Sequence, residues 1–157
     1  MRIIAALIAF CCCTLEGRRR SLVLKKRVKL LTEILLMLGN FSIEIRCRAL
    51  TLDELLESEE GEFARLVTRE KQRGCDIKTA WENACRQLPK NAERTLLSEL
   101  GRSFGTSDRA GELQLLEMYS EQLSRLKNEA ELSYSQKGKA LSRVGTLCGI
   151  AAAILII

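Results

Sequence analysis

Residues 21–48 read SLVLKKRVKLLTEILLMLGNFSIEIRCR. Within them Leu24, Val28, Leu31, Leu35, Leu38, Phe41 and Ile45 recur at intervals of three and four, one apolar stripe along a helix. Gly39-Asn40 weakens the middle of the stretch, and Phe41-Ser42-Ile43-Glu44-Ile45 also alternates like a short strand. The stripe nevertheless passes straight through both, so the spacing predicts one long helix. The remaining composition agrees. The chain has 157 residues, suited to one domain, with 46% hydrophobic and 4% aromatic side chains and a single proline. Helices can therefore run almost uninterrupted, and the fold class expected is all-α.

Downstream the start and stop signals are local. Thr51-Leu52-Asp53-Glu54 is a capping box with Thr51 as N-cap, and Leu50 and Leu55 occupy the positions of a hydrophobic staple. Gly61 opens a further helix carrying Phe63, Leu66 and Val67, and Gly74 suits a left-handed residue just past its end. Asp76 caps the next helix, with Ile77, Ala80, Trp81, Ala84 and Leu88 inside and Pro89 as its stop. Asn91 is placed to cap a helix containing Leu96, Leu97 and Leu100, which ends near Phe104. Gly105 fits the left-handed position after it, and Ser107 or Asp108 the next N-cap. From there Leu113, Leu116, Ser120, Leu123, Leu126, Ala130 and Ser133 follow heptad spacing, with Glu112, Glu117, Glu121, Lys127, Glu129 and Glu131 on the outside. No proline follows, and one helix is expected to run on to the C-terminus.

Both ends are apolar. Ile3–Leu15 and Val144–Ile157 contain no charge. Each alone is short: the 14 residues of the second cover about 21 Å, against a hydrocarbon core of about 30 Å. A buried core helix fits either run, and a signal peptide is the rival for the first. The flanking charge favours a membrane. Arg18, Arg19, Arg20, Lys25, Lys26, Arg27 and Lys29 follow the first run, and only Glu16 and Glu33 offset them. That stretch alone carries +5, the net charge of the whole chain. Lys137, Lys139 and Arg143 precede the second run. The positive-inside rule then places the middle in the cytoplasm and both termini outward. The domains expected are a membrane segment 1–17, a cytoplasmic helical bundle 18–143 and a membrane segment 144–157. The bundle would have about six helices, with long first and last members.

Little chemistry is on offer. The chain contains no histidine, which excludes Ser-His-Asp triads, Cys-His dyads and His-ligated metal sites. Gly138-Lys139 lacks the preceding glycine and the Ser/Thr of a phosphate loop, and no GxGxxG or GxSxG occurs. Of seven cysteines, Cys11, Cys12, Cys13 and Cys148 lie in the apolar runs; Cys47, Cys75 and Cys85 read as free thiols in a reducing cytoplasm. The basic cluster suits anionic lipid head groups, and no aromatic side chain is interleaved with it for stacking on nucleic acid bases. The acids from Glu57 to Glu62 and the bases Arg65, Arg69 and Lys71 fit either a partner face or plain solvation. No cofactor, metal, nucleic acid or small-molecule substrate is expected, and no enzymatic activity.

The chain resembles the stage III sporulation protein AB family of endospore-forming bacteria over essentially its whole length. The likeness is carried by Arg18-Arg19-Arg20 after the apolar segment, the helix Leu30–Ile45, Ala49–Leu56 and the Trp81 stretch Thr79–Ala84. Its most specific part is Leu100-Gly101-Arg102-Ser103-Phe104-Gly105-Thr106-Ser107-Asp108, which resembles an LGxxLGxSD turn with Phe104 in place of leucine. Gly101, Gly105, Ser107 and Asp108 are the candidate residues for a structural turn or partner contact. The unusual thiol content departs from the family without touching its motifs. The resemblance implies a component of the channel complex linking mother cell and forespore, similar to helical domains of the type II secretion platform protein. It implies a mother-cell membrane protein without catalysis of its own, docking a secretion-type ATPase and other membrane components of that complex. A membrane-anchored coiled-coil adaptor of unrelated function is the alternative with the same periodicity.

Overall fold

A computed structural model describes residues 2–48, 52–138 and Leu147. The described residues are helical with no strand: α1 (Arg2–Arg48), α2 (Leu52–Glu57), α3 (Glu62–Gln72), α4 (Ile77–Gln87), α5 (Ala92–Ser103) and α6 (Arg109–Ser133), followed by one π-helical turn, Tyr134–Gly138. The second apolar run, Lys139, Arg143 and the proposed cap Thr51 lie outside the described residues, Leu147 excepted. Among the described residues no helix is long and apolar enough to cross a membrane.

The strand-like alternation at Phe41–Ile45 is absorbed into α1, as the stripe requires. Ser42 donates its hydroxyl to the Leu38 carbonyl at 3.0 Å, so the polar side chain is satisfied within the helix. Asn40 reaches out to the Glu59 carboxylate at 2.9 Å. The buried face is rotated from the expected stripe. It consists of Leu30, Leu31, Ile34, Met37, Leu38, Phe41 and Ile45, while Leu35 is only half-buried. Ile34 and Met37 lie beside the expected positions, so the apolar band is broader than a single seam.

The chain divides into two compact units, residues 30–127 and residues 1–29 with 128–157. In the first, α4 packs against both α3 and α5, and α3 also meets α2. The core draws Leu55 and Leu56 from α2, Phe63, Ala64 and Val67 from α3, and Ala80, Trp81 and Ala84 from α4. Leu97 and Leu100 come from α5, and Leu116, Tyr119 and Leu123 from α6. Each of the larger side chains contributes about 1.5–3 kcal/mol through burial. The signals at Asp76 and Gly74 hold. The Asp76 carboxylate accepts from the Thr79 N–H at 3.3 Å, and Gly74 has φ +92°. Hydrogen bonds from Thr79 hold the Asp76 carboxyl below the usual carboxylate range. Asn91 departs from expectation. It stands at the N-cap, but its side-chain amide donates to buried Glu93 at 3.0 Å instead of capping the backbone. The first turn of α3 is closed from outside its own sequence: Glu62 N–H donates to the Glu33 carboxylate of α1 at 3.0 Å.

Candidate functional site

The candidate turn is built from Trp81 upward. The Trp81 indole lies edge-on to Phe63, with centroids 4.9 Å apart and planes at 81°. Its Nε1–H donates to the Leu97 carbonyl at 2.8 Å, which settles the only polar atom of the ring. The ring then occupies the space above Gly101, where any Cβ would overlap the indole. Gly101 is therefore not a residue of the turn itself. It sits inside α5, and its role is close approach.

Past Ser103 the backbone turns. Phe104 is buried, its ring centroid 6.4 Å from that of Phe41, and its N–H donates to the Leu100 carbonyl at 2.8 Å. Gly105 follows with φ +78°, the left-handed residue expected there. Asp108, rather than Ser107, caps α6: its carboxylate accepts from Gly111 N–H at 3.0 Å. Gly111 is constrained too, since a Cβ would come within 2.8 Å of the Ser107 Cβ.

The residue that ties the turn together is Glu112, which the heptad pattern places on the solvated outside. In the structure it is 7% exposed. One carboxylate oxygen accepts from both Gly105 N–H at 2.9 Å and Ser107 N–H at 3.1 Å. The other oxygen is buried with no hydrogen-bond partner among the described residues. A carboxylate in the first turn of a helix is favoured by the dipole, and two charge-assisted bonds offset much of its desolvation. The sequence signal available was a carboxylate four residues after the N-cap, reaching back to a glycine turn. Gly105, Ser107 and Asp108 are thus brought together in one turn with Gly111 and Glu112, whereas Gly101, inside α5, meets Trp81.

The other charged candidates separate. Lys71 pairs with Asp53 at 3.1 Å, and buried Glu70 accepts from Arg73 and Gln87. Glu82 accepts from Arg86 in its own helix and from Arg102 of α5 at 3.3 Å. Those two hydrogen bonds, Arg86 first, hold its carboxyl below the usual range. Of the basic cluster, Arg19, Lys25, Lys26 and Lys29 are exposed and Arg27 is half-buried. The side chains of Arg18 and Arg20 lie outside the described residues. Cys47, Cys75 and Cys85 are free thiols, and burial pushes Cys85 up to about 12, so it stays protonated and inert. Among the described residues no cluster of acids and thiols has the makings of a metal site.

The family model for stage III sporulation protein AB matches residues 2–157. No curated protein and no solved structure matches the chain.

Proposed function

Because the chain belongs to the stage III sporulation protein AB family, and so acts in stage III of sporulation, we propose that it is a non-catalytic platform component of a sporulation channel complex. In this reading the apolar ends anchor it in the mother-cell membrane, and the helical bundle faces the cytoplasm with both termini outward. The bundle docks a secretion-type ATPase and other membrane components of the same complex. The observation that carries the reading is the placement of charge. Basic residues adjoin the inner end of each apolar run, so one topology satisfies both ends. The alternative of a coiled-coil adaptor is weakened by the seam of α6. Leu116, Leu123 and Ala130 are already buried within the chain's own fold.

The test is deletion in a spore-forming host, followed through starvation by microscopy. Normal growth with forespores stalled after engulfment, together with cross-linking of the bundle to an ATPase, is the expected result. Normal spores, or failed growth, would remove the proposal. Topology is read from a variant whose only cysteine is Cys47, which is exposed. An impermeant thiol reagent should label it in opened cells and not in intact ones.

A further inference from the structure

The geometry points to a binding site for one anionic phospholipid in the unit formed by residues 1–29 and 128–157. A cleft of about 420 Å³ is lined there by Leu22, Lys25, Lys26, Val28 and Lys29 of α1 and by Tyr134. That volume falls in the range of small-molecule sites, about 300–1,000 Å³. Tyr134 is the first residue of the π-turn, a local widening of the helix that is frequent where helices bind ligands. The walls are carbon: leucine, valine, the tyrosine ring and the methylene stems of the lysines. Lysines bury such stems while the ammonium stays in water. Lys25, Lys26 and Lys29 are exposed, which sets positive charge at the rim of an apolar cleft. Leu22 and neighbouring Val23 are more than half exposed, at 55% and 61%, though they stand beside this charge. An occupant must therefore offer an apolar body joined to an anionic head. A phosphate with an acyl chain has that chemistry. An acidic peptide supplies the charge without the chain.

The site rests on the membrane reading above but goes beyond it, since a charge cluster alone attracts a lipid surface without holding any one molecule. The test uses the full chain in neutral detergent, with phosphatidylglycerol and phosphatidylcholine added in equal amounts. Retained lipid is counted by native mass spectrometry. One phosphatidylglycerol per chain should be kept, in about tenfold preference over phosphatidylcholine. Lys25→Gln with Lys26→Gln should cut that retention about tenfold. Leu22→Trp, at an exposed position, should fill the cleft and abolish retention with helical circular dichroism unchanged. Arg46→Gln, at an exposed position of the same helix outside the basic cluster and not lining the cleft, should leave retention as it was. Equal retention of the two lipids, or retention untouched by Leu22→Trp, overturns the site. So does a Leu22→Trp variant that keeps its lipid and loses a cross-linked protein neighbour, since the cleft would then hold a protein side chain. Vesicle flotation of the unaltered chain is scored separately: its failure removes the membrane reading, whereas failure of retention alone removes only this site.

Discussion

The turn from Gly105 to Glu112 and the stretch from Arg18 to Lys29 use charge in opposite ways. The turn takes one carboxylate out of water and commits it to two backbone donors, Gly105 N–H and Ser107 N–H. The basic stretch leaves Arg19, Lys25 and Lys26 in solvent. A buried charge with fixed partners defines a geometry, because every displacement exposes an unsatisfied group. Exposed charges of one sign define only proximity to an opposite surface, and they tolerate motion. Shape in this molecule is set at the turn, and attraction at the basic stretch.

That contrast breaks most visibly at Trp81. Trp81→Ala removes the ring from the core and leaves a void beside Gly101. Thermal melts followed by circular dichroism in neutral detergent should show a loss of about 3–5 kcal/mol. Next comes Glu112→Ala, which strands two backbone donors, at about 2–4 kcal/mol in the same assay. Glu112→Gln sharpens the comparison. The amide oxygen can still accept from both N–H groups without the charge, so about 1 kcal/mol should be lost if geometry is what matters. A loss as large as that of alanine would show that the charge itself holds the turn. Gly105→Ala forces a side chain into the left-handed region, a cost of about 1–2 kcal/mol. At the small end, Lys25→Gln, Lys26→Gln and Lys29→Gln together should move stability by less than about 0.5 kcal/mol. The same triple variant should lose about 1 kcal/mol of anionic-vesicle binding per lysine by flotation. A stability loss comparable to that of Glu112→Ala would erase the contrast.

The periodic part of the fold was readable because helical spacing survives any partner. Leu31, Leu38, Phe41 and Ile45 are buried where the stripe put them, and Leu116, Leu123 and Ala130 where the seam did. Ile34 and Met37 were missed because the width of a buried band is set by what lies across from it. The same limit hid the roles of Gly101 and Glu112. Glycine in the pattern reads as a turn residue until the indole above it is seen. A glutamate in a first turn ordinarily reads as solvated, and only the approach of the Gly105–Ser107 backbone buries it. Gly105, Gly74, Asp76 and Asp108 were readable, since their work is done within a few residues of themselves.

The overlap between Trp81 and the missing Cβ of Gly101 has an evolutionary corollary. The two positions share one volume, so they are not free to vary independently. A relative that carries a side chain at the equivalent of Gly101 should carry a smaller or displaced residue at the equivalent of Trp81. In an aligned set of such chains the two columns should change together. Gly101→Ala in this chain should then be rescued in part by a smaller aromatic at 81, as in Trp81→Phe.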